Sequence, residues 1–290
     1  MAGGVGTLPM MSDTVILVVL LAAVLHASWN ALVKGGRDRT LNLAAVVIGH
    51  VPFALAVLPF VPLPAADSWP WLLCGIALHT GYQGFLLLAY RQGDLSRVYP
   101  IARGSAPLIV TGVSVGALGV VLQTQELLGI AVIATGILSV CLVRQRGTGF
   151  EWPSAGFALV TGVFIAGYSL VDGHGARLAG TAVGFYAWEG LGNAAIVLAL
   201  SWRLRPTLAR ELLGPARTVL LVGGGASFAA YALVMWAFTQ APIALVTALR
   251  ESSIVFAVLI GAWHLKEGLG AAKLLAIALT IAGIALLRFA

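Results

Sequence analysis

Apolar stretches of about 20 residues, the length that crosses a hydrocarbon core of roughly 30 Å, succeed one another along almost the whole chain. Only helices or closed barrels satisfy their backbone groups in lipid. These stretches are too long for barrel strands, and they are rich in Leu, Ala and Val without the period-2 alternation of a barrel. Composition agrees: 60% of the 290 residues are hydrophobic, and 10% are charged against roughly 25% in a soluble domain. With 17 Lys+Arg and 11 Asp+Glu, there is too little charge to coat a soluble globule. A soluble enzyme, a disordered chain and a nucleic-acid-binding domain are excluded. The expected class is an all-α integral membrane protein.

Breaks at Pro, Gly and charge clusters divide the chain into ten predicted spans, at 14–34, 41–62, 70–91, 97–119, 124–144, 153–173, 181–202, 216–238, 241–262 and 269–289. The segment before Asp13 has no Lys or Arg, and no A-x-A site follows the first run, so that run is expected to be a permanent span and not a removable signal. Cys74 and Cys141 both lie inside apolar runs. Neither a disulfide framework nor a metal spacing is expected, and no cofactor motif is present.

The net charge of +6 reports orientation. Lys34, Arg37, Arg39, Arg91, Arg97, Arg144, Arg146, Arg203, Arg205, Arg210, Arg217, Lys266 and Lys273 fall in loops on one side, leaving Arg177 and Arg288 on the other and Arg103 and Arg250 within spans. The positive-inside rule makes the first side cytoplasmic. Both termini are then expected outside the cytoplasm, in a multi-pass protein of the cell (inner) membrane.

The sequence also matches itself. Leu127-Leu128-Gly129-Ile130-Ala131 recurs as Leu274-Leu275-Ala276-Ile277-Ala278, and Gly136-Ile137 as Gly283-Ile284. Arg103 and Ser105 meet Arg250 and Ser252 in the same register, while Ala89 and Gln92 meet Ala237 and Gln240 with one residue of slip. Leu32-Val33-Lys34-Gly35 parallels Leu170-Val171-Asp172-Gly173. The expected organisation is two five-helix repeats, 1–148 and 149–290. Five is odd, so the copies insert with opposite orientation, an arrangement recurrent among secondary transporters, whose site lies near the midplane where the halves meet.

The five-plus-five plan resembles the drug/metabolite transporter superfamily in its EamA-type branch. The resemblance covers nearly the whole chain and is carried by His26-Ala-Ser-Trp29-Asn30-Ala-Leu-Val-Lys34, Tyr99-Pro100-Ile101-Ala102 with Pro107, and the closing stretches Leu265-Lys266-Glu267 and Ala282-Gly283. The chain departs from the pattern with Val120 where the register meets Glu267, and Ile254 where Pro107 has its repeat partner. The resemblance implies export of amino acids and related metabolites, with the exporters of aromatic amino acids most alike.

Polar residues at helical spacing mark candidate faces: His26, Trp29 and Asn30; His79, Tyr82 and Gln83; Tyr99 and Arg103; Tyr186, Glu189 and Asn193 beside Trp188; Ser227 and Tyr231; and Thr247, Arg250 and Glu251. Together they predict a central cavity with an aromatic, hydrogen-bonding lining. Its substrate-binding candidates are Trp29, Asn30, His79, Tyr82, Gln83, Tyr99, Arg103, Trp188, Glu189, Tyr231, Arg250 and Glu251. Polar groups also glue membrane helices together, and that packing role is the alternative for each face. Arg250 and Glu251 stand roughly 100° apart on a regular helix and are not expected to point the same way. Trp69, Trp71, Trp152 and Trp202 read as interfacial anchors. Pro100, Pro107 and Pro242 are predicted helix breaks and candidate gating points, while the Gly223-Gly224-Gly225 run, Gly112, Gly116, Gly162 and Gly167 are expected to permit close helix approach.

A zwitterion needs both a donor (Arg103 or Arg250) and an acceptor (Glu189 or Glu251), with aromatic rings for an apolar side chain or an ammonium. The expected function is a secondary transporter exporting amino acids or similar amphipathic metabolites by alternating access, with broad specificity. Proton coupling through His79 or Glu189 and uncoupled diffusion both remain open. The alternatives are a lipophilic-cation or multidrug exporter and, less well supported, a membrane enzyme; no H-E-x-x-H or G-x-S-x-G motif occurs. The expected partners are a small-molecule substrate and the lipid bilayer, without nucleic acid; the sequence leaves the oligomeric state open.

Overall fold

The computed structural model describes residues 11–35, 38–92, 95–140, 152–264 and 269–290. Arg37, Cys141, Arg144, Arg146, Lys266 and Glu267, all invoked above, lie outside these residues. The described chain is helical, with no strand among the described residues. In order come α1 (Asp13–Gly35), α2 (Arg39–Ile48), α3 (His50–Val57), α4 (Trp69–Gln92), α5 (Leu95–Gly116), α6 (Thr124–Ser139), α7 (Trp152–Leu178), α8 (Ala182–Leu204), α9 (Leu208–Leu213), α10 (Gly224–Gln240), α11 (Ile243–Arg250), α12 (Ser253–His264) and α13 (Ala271–Arg288). Among the described residues, eight continuous or nearly continuous helical stretches are long and apolar enough to cross a membrane. They are Asp13–Lys34, Arg39–Phe60, Ala66–Ala89, Trp152–Leu178, Ala182–Leu204, Val219–Gln240, Ile243–Trp263 and Ala271–Arg288. Helices α5 and α6 lie where two further spans were predicted.

The distribution of polarity is inside-out. Leu17, Leu73, Val121, Leu274 and Ile281 are exposed, whereas Arg103, Asp172, Glu189, Arg250 and Glu251 are buried. An apolar exterior suits lipid, and polar groups face inward, where other helices can partner them. Alanine is the commonest buried apolar residue, as expected where association relies on close backbone approach. Helix α4 packs on α7, α5 on α7, α6 on α13 and α1 on α10.

The discontinuities do not fall where the prolines predict. Helix α5 runs through both Pro100 and Pro107, so these residues do not interrupt it. Thr111 donates to the Pro107 carbonyl at 2.7 Å, giving that oxygen a partner. Pro242 behaves as expected, as the N-cap of α11. The observed breaks lie elsewhere: at Gly49 between α2 and α3, in a π-helical turn at Val219–Gly223, and at Glu251 and Ser252 between α11 and α12. At the last break the amides of Glu251 and Ser252 bond the carbonyls three residues back, Ala248 at 3.1 Å and Leu249 at 3.0 Å. The tightened turn re-aims both side chains. Arg250 Nε lies 3.9 Å from Glu251 Oε1, correcting the expectation that the two diverge.

Two glycines make the first break possible. A Cβ on Gly49 would sit 2.0 Å from the Leu220 carbonyl oxygen, and one on Gly224 would sit 2.7 Å from Gly49 Cα. Two backbones touch there. Gly162 and Gly225 are similarly hemmed in, but a Cβ on Gly112 or Gly116 would meet nothing within 4 Å, so those two do not serve close approach. Gly49→Ala is expected to lower stability by about 1–3 kcal/mol, the usual cost of overpacking, while Gly112→Ala leaves it unchanged. Thermal unfolding of the two purified variants checks the difference.

Beyond the spans, Asp38 caps α2 by accepting from the Leu41 amide at 2.9 Å, and also pairs with Arg205. Arg205 in turn donates to Glu211 at 3.1 Å. Burial pushes the Asp38 carboxyl up, but the Leu41 amide and Arg205 outweigh it and hold the group below its ordinary value. A value lowered by folding means stabilisation that is present above the ordinary carboxylate range, about 3.9, and lost as pH falls through the folded value. Asp38→Ala should lose about 1 kcal/mol through the cap, with the half-exposed ion pair adding less than about 1 kcal/mol. The gap in Tm between wild type and variant should narrow as the pH is lowered from neutral to about 3.

Candidate functional site

Three helices bring one imidazole and two carboxylates together. His79 on α4 places Nε2 2.9 Å from Asp172 Oδ2 on α7 and 3.6 Å from Glu189 Oε1 on α8. Asp172 and Glu189 are 0% and 1% exposed. One turn before His79, a Cβ on Gly75 would lie 2.2 Å from Glu189 Oε1 and 2.7 Å from Asp172 Oδ1. Only a bare backbone lets both carboxylates lie against α4.

Tyrosines enclose this group. The His79 ring stacks on Tyr168 with centroids 4.1 Å apart and meets Tyr231 edge-on at 5.4 Å. The Tyr231 hydroxyl donates to Asp172 Oδ2 at 2.6 Å. Tyr186 lies 5.0 Å from Tyr231 and stacks on Phe228, while Tyr82 meets Tyr168 edge-on. One turn along α4 from His79, Gln83 donates to Asn193 at 2.8 Å, and Asn193 donates to Thr80 at 3.0 Å.

A second charged group gathers at the α11–α12 break. Arg103 Nε lies 2.7 Å from Glu251 Oε2, close but with its N–H poorly aligned, and Arg103 Nη2 donates to Ser253 at 3.1 Å. Tyr99 lies under the Arg103 guanidinium at 5.8 Å. Arg250 stands over the rings of both Tyr168 and Tyr231 at 5.9 Å, so the same tyrosines border both charged groups. Several buried polar atoms have no hydrogen-bond partner: Asp172 Oδ1, both oxygens of Glu189, and Nε and Nη2 of Arg250. Such atoms are costly to leave unmatched. They give the interior an acidic pole at Asp172 and Glu189 and a basic pole at Arg250, joined by tyrosine rings.

Of the sequence-predicted residues, His79, Tyr82, Gln83, Glu189 and Tyr231 belong to the acidic region. Tyr99, Arg103, Arg250 and Glu251 belong to the basic one. Trp188, next to Glu189 but about 100° round the helix, packs against Trp69 at 6.3 Å. Trp29 meets His26 edge-on at 5.0 Å, and the Asn30 amide is spent on the His26 carbonyl of its own helix at 2.8 Å. Sequence reasoning passed over Asp172, Tyr168 and His50. Asp172 fell at the predicted end of a span, but α7 continues to Leu178 and carries it inside. His50, buried and bonded to Ser227 at 3.1 Å, is a lone histidine in an apolar run with no spacing to single it out.

No family model matches the chain, and no curated protein matches it. A solved structure described only as "Crystal structure of protein" superposes with a TM-score of 0.75 at 20% identity, over 96% of this chain and 98% of that one. The likeness extends to the whole fold and to nothing beyond it.

The Arg103–Glu251 pair yields a sharp expectation. Removing one partner of a buried ion pair costs about 3–5 kcal/mol, whereas replacing both is often near neutral. Glu251→Gln, which strands both Arg103 and Arg250, should therefore destabilise strongly, and adding Arg103→Gln should recover part of that loss, since Arg250 stays buried without its acid. A double-mutant cycle on thermal or denaturant unfolding measures it.

Proposed function

We propose that the chain is a secondary transporter that exports amino acids or related small amphipathic metabolites by alternating access. Its ten spans form two inverted five-helix repeats of the EamA-type drug/metabolite transporter kind, with α5 and α6 as the fourth and fifth. The observation that carries the reading is the two-pole interior. On this reading an α-ammonium would meet Asp172 and Glu189, where three carboxylate oxygens take no hydrogen bond from any neighbouring donor, and an α-carboxylate would meet Arg250, where two guanidinium nitrogens lack partners. The tyrosines between are suited to an apolar or aromatic side chain.

Reciprocal contacts between α6 and α13 support the inverted repeat. A Cβ on Gly136 would lie 3.2 Å from the Ala276 oxygen and 3.4 Å from the Thr280 nitrogen. One on Gly283 would lie 2.8 Å from the Gly129 oxygen and 3.1 Å from the Ile133 nitrogen. Under the repeat register, Gly136 corresponds to Gly283, Gly129 to Ala276 and Ile133 to Thr280. The two sets of contacts therefore exchange, as an axis between two antiparallel helices requires.

Pairs at the two ends support both termini lying on one side, outside the cytoplasm. Asp13 pairs with Arg288 at 2.6 Å, while Asp38 and Arg205, both assigned inward by charge, meet each other. A lipophilic-cation exporter is the second reading, favoured by the two carboxylates and their tyrosine cage.

Proteoliposomes loaded with amino acids, amines or lipophilic cations, with and without a pH gradient, separate these readings. Movement of cations without movement or competition by amino acids overturns the first. On that reading, Arg250→Gln should slow an aromatic amino acid by about 10–100-fold, the worth of a hydrogen bond to a charged group. It should leave the matching decarboxylated amine unchanged.

A further inference from the structure

We propose that His79, Asp172 and Glu189 form a binding site for one divalent first-row transition-metal cation such as Zn²⁺ or Mn²⁺. The inference goes beyond the transport reading and does not rest on it. One ligating atom from each residue lies within 4.8 Å of the other two. With bonds of 2.0–2.2 Å, donors around a four-coordinate ion stand about 3.4 Å apart. The separations of 2.9 Å and 3.6 Å from His79 Nε2 already bracket that value. Small rotations of two carboxylates complete it.

The electrostatics call for a dication. Two buried carboxylates face one imidazole, and the two buried arginines are turned to Glu251 instead. A proton shared between Glu189 and Asp172 pairs one oxygen of each, yet no other hydrogen-bond partner reaches Asp172 Oδ1, Glu189 Oε1 or Glu189 Oε2. A divalent ion engages several of them at once and balances the charge of both acids.

The surroundings resemble those that hold metal ligands in place. The Tyr231 hydroxyl fixes Asp172 through Oδ2 at 2.6 Å, and Tyr168 and Tyr231 clamp the imidazole plane. Gly75 leaves room for the carboxylates against α4. The donor set selects among ions. One nitrogen with carboxylate oxygens suits Zn²⁺, Mn²⁺, Co²⁺ or Fe²⁺. Three residues supply too few oxygens for Ca²⁺, and Mg²⁺ surrenders its water reluctantly. A free fourth position remains, as in zinc sites that bind a further ligand. Metal and a substrate ammonium would occupy the same acidic pole and exclude each other.

The test uses the full chain, purified in detergent and stripped with a chelator. Calorimetric titration with Zn²⁺ should give one site per chain, and Co²⁺ should give a visible ligand-field spectrum that Zn²⁺ abolishes. Mg²⁺ should do neither. His79→Gln, Asp172→Asn and Glu189→Gln should each weaken Zn²⁺ by more than about 10-fold, and Tyr231→Phe, which keeps all three donors, by about 10-fold. Tyr231→Phe serves if the ligand variants do not fold. Absence of Zn²⁺ binding, equal binding of Mg²⁺, or affinity unchanged in these variants overturns the proposal. Amino-acid transport by stripped protein that binds no Zn²⁺ removes the metal site alone; Zn²⁺ binding by protein that moves no amino acid removes the transport reading alone.

Discussion

Charge sealed among apolar helices must find a partner, because in a low-dielectric interior an unmatched charge costs more than most contacts return. The structure answers this differently in two places. Around the α11–α12 break most of the charge is paired within the cluster: Glu251 lies against Arg103, within 4 Å of Arg250, and Ser253 takes a further guanidinium proton, although Arg103 Nε, Arg250 Nε and Nη2 and Glu251 Oε1 form no aligned hydrogen bond. Around His79 the pairing is incomplete. Asp172 takes the His79 imidazole and the Tyr231 hydroxyl, and Glu189 stands 3.6 Å from the same imidazole. No further donor reaches Asp172 Oδ1 or either Glu189 oxygen beyond what the two carboxyls share. The first cluster holds helices together. The second is where a ligand has most to gain, since binding there satisfies groups that folding left unsatisfied.

Departure from internal symmetry separates these roles. In the proposed repeat register Arg103 meets Arg250, but Glu251 meets Gly104. A Cβ on Gly104 would lie 2.8 Å from Leu138, so that position is filled by close packing. Two arginines are thus served by a single acid from one half. Arg103 takes the shorter contact, and Arg250 keeps free N–H groups beside Tyr168 and Tyr231. A perfectly duplicated pair would satisfy both arginines and leave no basic pole.

The sequence revealed what depends on helical period and on the cost of burying charge. Long apolar runs gave the helical class, and the spacing of His79, Tyr82 and Gln83 marked a face that is half-buried against other helices, while Arg250 is buried within its run. It failed where a choice depends on a neighbouring helix. Proline removes a backbone donor in any context, so Pro100 and Pro107 looked like breaks; yet α5 absorbs both, and the backbone instead changes at Gly49, Val219–Gly223 and Glu251. Nothing local marks Glu251, whose turn is tightened while its side chain reaches Arg103 on another helix. Asp172 was hidden for a similar reason: five further residues of helix, from 174 to 178, decide whether an aspartate reads as a loop or as an interior charge. His79, Asp172 and Glu189 have no mutual spacing on one helix, so only the packing of α4, α7 and α8 creates their chemistry.

Tyr231 ties the two poles to one another physically. Its hydroxyl is held by Asp172 and its ring lies under Arg250. A cation bound at Asp172 would polarise the carboxylate that receives this hydroxyl, and any adjustment of that bond would move the ring that Arg250 rests on. Tyr168 makes the same bridge through stacking, between His79 and the same guanidinium. Occupation of the acidic pole would therefore reach the basic one through these rings, without contact between their charges. Because α10 carries Tyr231 and also packs against α1, α7 and α8, a change that begins with one hydroxyl proton has helices from both halves of the chain through which to spread.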